Sequence, residues 1–463
     1  MPSPVTRAIE EACYWLARRP PRKATRLRGG ERVDVAVVGG GLTGLWTALY
    51  LTELDPATSV AVVEQEEVAY GASGRNAGML SETVDHAHGL AIEHFGEAEA
   101  RRLARVGERN VAEMSRFLAD HRIDCDYEPT GRLMVALNPA QLEDANRTVE
   151  TAEQLGLDTF RLLGRDEIRA ELDSPLYQVG VSVRGGVVLD PVRVVDGLAR
   201  EARRRGVRLY ERSRVERIER AGSDARVRTA EGTIDAHRII LATSAYSHHL
   251  LPRLTRRFIP LYDYVLVSEP LTDRQRAAVG WRRRQGVTDG RAFFNYYRLT
   301  RDDRILWGTS EAAYHRPNRV DSGCDHSPAH YDALRASFRR HFPQLGELAF
   351  PYAWGGAICS TTRLTPFFGR ALGGRVLYGL GFTGHGLGTT RLAGRILAHQ
   401  ALGRDDELLS LALVRRAPFP YPPEPFRSWS VSAVRRALRR VDAGERPGLL
   451  LRLLERFGLG FSS

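Results

Sequence analysis

Apolar positions along this chain change their period several times, and each change marks an element. Residues 33–38 (VDVAVV) are a run of small β-formers, and beyond them Leu45, Trp46 and Leu49 take helical spacing. A second short strand at 60–63 ends on Glu64. Between 97 and 119, Leu103, Val106, Val111, Met114 and Leu118 recur at helical intervals, and GRLMVAL (131–137), followed by Pro139, reads as a strand ending in a turn. The segment 185–219 reads as turn, helix and strand, and HRIILATSAYS (237–247) as a buried strand closing on small residues. Two later stretches, 258–271 and 293–311, alternate as strands, the second pair joined by TRDD, which predicts an antiparallel sheet. Residues 375–402 return to strand, glycine-rich turn and helix. In the tail, Val431, Val434, Leu438 and Val441 form one helical stripe with arginines opposite. That helix is expected to pack on the body, the other reading being a basic amphipathic helix lying on a membrane surface.

Composition narrows the picture. At 463 residues and 43% hydrophobic content, the chain can bury a large core in two or three domains. No apolar run approaches the roughly 20 residues of a membrane span, and Met1 to Arg22 carries scattered charges, so neither export nor membrane spanning is expected. Cys13, Cys125, Cys324 and Cys359 show neither CxxC nor zinc spacing, so no metal site is expected and a reduced cytoplasm fits. The net charge of +11 comes from arginines interleaved with Asp and Glu, a biased composition rather than a nucleic-acid footprint. Lys23 is the only lysine and lies in a polar lead, which argues against a Schiff-base cofactor such as pyridoxal phosphate.

Gly39, Gly41 and Gly44 satisfy GxGxxG directly after the 33–38 strand. The first permits a tight turn, the second lets backbone approach a pyrophosphate, and the third allows helix and strand to pack closely, while amides at the helix start, Leu42 and Thr43, face phosphate. Glu64, twenty residues past Gly44, can accept hydrogen bonds from a ribose diol and repels a 2′-phosphate, disfavouring NADP; Gln65 stands beside it. NAD and FAD share this handle. YGASGRNAGM (70–79) discriminates between them, because small residues around Ser73 and Gly74 let the chain lie flat against a bulky ligand, Arg75 offers charge to a pyrophosphate and Asn76 an amide, with Ala77 and Gly78 continuing the segment.

Taken in order, VVGGGLTGLWTALYL, VEQEEVAYGASGRNAGM, LDPVRVVDGLAREARRRGV, LATSAYS, YYRLTRDDRILWG, WGGAICSTTRLTPFFGR and GLGFTGHGLGTTRLAGRIL cover most of residues 15 to 405. This ordered set resembles the D-amino-acid oxidase family of FAD-dependent amine oxidoreductases, which includes glycine oxidase, sarcosine oxidase and γ-glutamylputrescine oxidase, with the nearest likeness to the last branch. The fold class expected is α/β (α+β overall), a discontinuous Rossmann-like FAD-binding domain with an antiparallel-sheet substrate domain. Its pieces would be a lead (1–32), FAD-binding segments at 33–96, 185–257 and 350–405, substrate segments at 97–184 and 258–349, and a helical tail (406–463).

The resemblance implies an extended FAD, with adenosine at Glu64 and flavin between the nucleotide domain and the sheet. Val215 matches the position whose backbone meets adenine, and Ala242 and Thr243 match a loop beside the cofactor. The turn Gly381, Phe382, Thr383, Gly384, His385, Gly386 precedes a helix from about Leu387, so its amides can face the flavin edge where reduction leaves negative charge. The implied reaction moves hydride from the carbon beside an amine to flavin N5, leaving an imine that hydrolyses. Oxygen, giving hydrogen peroxide, or another electron acceptor completes the turnover. For substrate contacts the sheet offers Tyr296, Tyr297 and Arg298, an arginine clamping a carboxylate and tyrosines walling an amine, with Tyr262 and Tyr264 as further lining and His385 as a donor or packing residue. Strand alternation forbids Tyr296 and Tyr297 from both facing the ligand. Cys359, in GGAICSTT, resembles the segment of monomeric sarcosine oxidase that bonds flavin covalently; a small buried hydrophobe is the other reading. A flavin monooxygenase and a noncatalytic flavin-binding subunit remain open on the sequence.

Overall fold

The computed structural model describes residues 11–84 and 87–456. The first ten residues of the lead and the last seven of the tail thus lie outside the described residues. Two eight-stranded sheets carry the architecture. In the first, Gly29–Val38 lies between Gly232–Leu241 and Val60–Val63, all parallel; Arg208–Tyr210 and Val376–Leu380 extend it in parallel, and antiparallel Phe367–Ala371 forms one edge. Its central runs, Val35 to Val38, Val60 to Val63 and Ile239 to Leu241, are buried throughout, as parallel strands covered on both faces require. The central strand starts at Gly29 rather than Val33, because Gly29 to Arg32 already pair with Gly232 to Asp235. From this strand the chain moves first to Val60–Val63 on one side and later to Gly232–Leu241 on the other. The carboxyl ends of Gly29–Val38 and Gly232–Leu241 therefore flank a topological switch point, where open α/β sheets bind ligands.

The second sheet runs in the order Tyr352–Ser360, Ile259–Pro270, Arg304–Thr309, Asn295–Leu299, Gly286–Asp289, Arg132–Ala136, Val179–Val183 and Phe160–Leu163. Two features differ from the sequence pattern. Gly286–Asp289 pairs in parallel with Arg132–Ala136, a junction between distant chain segments that no hairpin dictates. Tyr352–Ser360, which the pattern assigns to the FAD-binding domain, instead pairs residue for residue with Ile259–Val267 of this sheet. The TRDD hairpin forms as expected: Thr300 and Arg304 close it, and Asp303 takes the left-handed conformation its turn requires.

Two helices near the limits of the described residues pack into the body. Tyr14, Trp15 and Leu16 of the short helix Tyr14–Ala17 are buried, and Trp15 Nε1 donates to the Asn76 carbonyl at 3.0 Å. The helix Phe426–Asp442 is pinned at its far end by Asp442, whose carboxylate accepts the backbone N–H groups of Ala292 (2.7 Å) and Phe293 (3.0 Å). Arg439 on the same helix donates to Glu311 at 2.7 Å. No helix among the described residues is long and apolar enough to cross a membrane.

Candidate active site

A cavity of about 1060 Å³ opens at the switch point and extends to the second sheet. At its first end the 33–38 strand delivers Gly39 and Gly41, and Gly41 is the N-cap of the helix Leu42–Leu54. With no side chain on Gly41 to cap the helix, its first-turn amides stay available; Leu42 N–H alone is taken by Ser73 Oγ, at 2.9 Å. A Cβ on Gly41 would lie 2.7 Å from Ser73 Oγ, so the backbone path there belongs to glycine. Gly44 does not reach the cavity: a Cβ there would sit 2.0 Å from the Gly39 carbonyl, which is the close helix-to-strand packing expected of it. Glu64, next to Gln65, accepts the N–H groups of Gly40 (2.6 Å) and Glu66 (3.1 Å), while burial raises its pKa. Gln65 and Val215 line the cavity with it. An uncapped helix start, a glycine cradle and a buried carboxylate at this spacing suit an adenosine diphosphate.

Along the middle, Ser73, Arg75, Asn76 and Ala77 line one wall and Ala242 and Thr243 another, whereas Gly74 and Gly78 lie behind, pressed on the carbonyls of Ala69 and Leu189. Two expectations are corrected here. The Arg75 guanidinium pairs with Asp325 at 3.0 Å and donates to the carbonyls of Tyr70 and Gly355. The Asn76 amide donates to Ala72 and Ser73 carbonyls, and its oxygen accepts Gly78 N–H. Both side chains hold the loop itself instead of offering charge or an amide to a pyrophosphate, because a buried cation needs a counter-charge and a tight loop needs its carbonyls satisfied.

The third wall carries Cys359, Phe382, Thr383, Gly384, His385, Gly386 and Leu387, with Gly381 behind them against Thr361. Thr383 N–H donates to the Cys359 carbonyl at 3.0 Å, which ties the glycine turn to the strand. The helix Gly386–Leu402 begins here without a side-chain cap, so its positive end faces the cavity. Burial pushes the Cys359 thiol far up, holding it protonated.

The second sheet closes the far end, and its register decides which side chains take part. Along Ile259–Pro270, Leu261, Asp263 and Val265 face the cavity. Tyr262 and Tyr264, expected as lining, point to the opposite face: Tyr262 donates to the Asp321 carbonyl at 3.0 Å, and Tyr264 donates to the Cys324 carbonyl at 2.9 Å and stacks on His330. Tyr296 lines the cavity, whereas Tyr297 is fully buried, hydrogen-bonded to Tyr177 and stacked on Trp307. Arg298 is also removed from the candidate contacts. It is 1% exposed, lies over the Trp15 ring and donates to the Gly78 carbonyl at 3.0 Å and the Leu189 carbonyl at 2.9 Å; burial lowers its pKa to about 10.

Two contributors escaped the sequence reading. Asp263 lines the cavity, accepts the Tyr296 hydroxyl on Oδ2 at 2.6 Å and the Tyr264 N–H on Oδ1 at 2.8 Å, and burial raises its pKa to about 7. Its signal was the alternation LYDYV, in which the carboxylate shares a face with Leu261 and Val265. The other is the C-terminal helix. Val431, Val434 and Leu438 of the stripe, with Ser430 and Arg435, form part of the cavity wall, while Val441 does not. The stripe was legible, and its target was not.

Comparisons with known proteins place this geometry. The family model DAO, described as FAD dependent oxidoreductase, matches residues 34–400. Gamma-glutamylputrescine oxidoreductase of Escherichia coli (strain K12) is 33% identical over 390 residues, covering 84% of this chain and 88% of that protein. Among solved structures, glycine oxidase from Geobacillus kaustophilus aligns with a TM-score of 0.70 at 19% identity, covering 83% of this chain and 99% of that one. L-proline dehydrogenase from P. horikoshii aligns with a TM-score of 0.68 at 17% identity, covering 83% and 96%.

Proposed function

This chain belongs to the DAO family of FAD-dependent oxidoreductases, and from that premise we propose that it oxidises a carbon–nitrogen bond of an amine or amino acid. One continuous cavity supports the reading: it joins the dinucleotide cradle at Gly39, Gly41 and Glu64 to a sheet wall bearing Tyr296 and Asp263. The relative with 33% identity is named for an amine substrate.

When bound, FAD supplies a two-electron acceptor for hydride from the carbon beside the substrate nitrogen. The glycine turn and the Thr43 amide would hold the pyrophosphate, the Leu42 amide being held by Ser73 Oγ, and Glu64 would take the ribose hydroxyls. The uncapped start of Gly386–Leu402 presents donors where negative charge collects. The sheet wall and the C-terminal helix orient the amine and exclude water. The oxidised product is an imine, which water converts to a carbonyl compound and an amine or ammonia. Cys359 is read as a wall residue, because the protonated thiol is the unreactive form; flavin remaining with acid-precipitated protein would contradict this.

The test is anaerobic addition of a panel of primary and secondary amines and amino acids, followed by absorbance at about 450 nm, where oxidised flavin absorbs. Bleaching by an amine without NADPH is expected. Bleaching by NADPH without an amine assigns a flavin monooxygenase instead, and bound flavin that no panel member bleaches assigns a noncatalytic role. Peroxide formed in air during amine turnover identifies oxygen as the acceptor.

A further inference from the structure

We propose that Asp263, positioned by Tyr296, receives the substrate's ammonium group and takes its proton, and that the preferred substrate is an amine with an apolar chain and no carboxylate beside the reacting carbon. The proposal rests on the amine-oxidising reading above and deepens it.

The geometry comes from three neighbouring strands. Asp263 stands on Ile259–Pro270, opposite Gly356 on one side, and Arg304–Thr309 adjoins it on the other. Tyr296 is one strand further away and pairs with Gly308. Its ring crosses directly above Gly308, where a Cβ would lie 2.3 Å from the ring, and its hydroxyl ends 2.6 Å from Asp263 Oδ2. A glycine at 308 therefore lets the phenol reach the carboxylate. Each carboxylate oxygen accepts one hydrogen bond from the protein, which leaves lone pairs on both for a substrate N–H. Among the described residues Asp263 has no ion-pair partner, so the cavity presents a carboxylate that lacks a cation.

The other charges in the cavity favour the same ligand. Apart from Arg214 beside Val215, the lining arginines of the loop and sheet are already paired, Arg75 with Asp325 (3.0 Å) and Arg132 with Glu82 (2.6 Å), and Arg435 of the C-terminal helix shares Glu311 (3.6 Å) with Arg439. A carboxylate next to the reacting carbon finds no spare cation on the sheet wall. An apolar chain, in contrast, finds Val431, Val434 and Leu438 of the C-terminal helix. Elsewhere along the cavity Glu64, Glu216, His249, His385, the Cys359 thiol, Tyr70, Tyr246 and Tyr421 also titrate, and Tyr296 is the one whose side chain is hydrogen-bonded to Asp263.

In the proton step one N–H bond of the ammonium breaks and one O–H bond forms on Asp263, with no change of oxidation state. The neutral amine then has the lone pair that forms the C=N bond as hydride leaves the adjacent carbon for the oxidised cofactor. Asp263 suits this exchange because burial raises its pKa toward neutrality while the Tyr296 and Tyr264 hydrogen bonds lower it. Sign and window follow. The carboxylate form exists above about 7 and is lost below it, so amine-driven bleaching should fall on the acid side of neutrality.

The experiment uses the FAD-loaded protein and its Asp263→Asn and Tyr296→Phe variants. Binding is read from the flavin spectrum on titration with tert-octylamine, which has no hydrogen on the carbon beside nitrogen and so binds without being oxidised. Asp263→Asn is expected to keep its yellow colour, to bind this probe about 30-fold more weakly because a desolvated charge has lost its partner, and to lose the acid limb near neutrality. Tyr296→Phe removes a hydrogen bond that favours the carboxylate, so its acid limb moves to higher pH; this variant decides the matter if Asp263→Asn does not retain flavin. Equal probe affinity and an unchanged acid limb in the variants overturn the proposal. Wild-type protein that no amine bleaches overturns the underlying amine reading, a distinct outcome. Bleaching of the parent by α-amino acids in preference to simple alkylamines overturns the substrate class.

Discussion

Arg75, in the cavity wall, and Asp325 form an ion pair at 3.0 Å with both side chains almost wholly buried, 2% and 1% exposed. Breaking such a pair by removing one partner leaves a buried charge uncompensated. Asp325→Ala is expected to cost about 3–5 kcal/mol of stability and to loosen the 70–79 segment. Chemical denaturation of the loaded protein measures it; a variant as stable as the parent contradicts the pairing.

Gly41 is where the backbone would come close to a bound dinucleotide. Gly41→Val adds a Cβ 2.7 Å from Ser73 Oγ and further methyl groups over the helix start. The variant should purify colourless and melt below the parent, because the bound cofactor stabilises the fold by mass action. Yellow protein of parental stability would move the cofactor elsewhere.

Arg298 separates a structural from a substrate-binding role. Replacing it with Met leaves the carbonyls of Gly78 and Leu189 without this donor. A loss of about 1–3 kcal/mol in stability is expected, with little change in the affinity of an amine probe. Selective loss of amino-acid binding at unchanged stability would restore the carboxylate-clamp reading.

The C-terminal helix is held at one end by Asp442 on the Ala292 and Phe293 amides. Asp442→Ala should free that end at a cost of about 1–3 kcal/mol for the two orphaned donors, and limited proteolysis within 426–456 should accelerate. Because Val434 and Leu438 wall the cavity, the Michaelis constant for long-chain amines should rise more than that for methylamine. Equal changes for both would remove the helix from the substrate site.

His88 provides a stability test with pH. Burial lowers its pKa to about 4, with Glu82 opposing and Arg132 reinforcing the shift. The unfolded chain therefore takes up this proton near its ordinary value while the folded chain does not, so the contribution is complete above about pH 6.5 and declines toward pH 4. Its full size is roughly 3 kcal/mol. His88→Gln should flatten the dependence of the unfolding midpoint on pH across that interval, and an unchanged slope would place the acid sensitivity elsewhere.

The sequence by itself determined the parts whose requirements are local. Gly39, Gly41 and Gly44 are legible because a tight turn, a backbone approach and a close helix contact each demand the absence of a side chain at a fixed spacing, whatever surrounds them. The 33–38 and 60–63 strands, the helix after them and the glycine-rich turn before Gly386–Leu402 were legible for the same reason, since periodicity is set by near neighbours. Only the tertiary structure decided where the polar side chains went. Arg75 found Asp325, Arg298 found the carbonyls of Gly78 and Leu189, and Asp263 found Tyr296 across Gly308. Each partner comes from a remote segment brought close by strand register, and a shift of one residue would turn Tyr262 and Tyr264 toward the cavity and Asp263 away. The apolar stripe of the tail was visible in the chain, but a stripe specifies burial without specifying its partner. That partner is the far end of the cavity, set by two Asp442 hydrogen bonds that no local pattern contains.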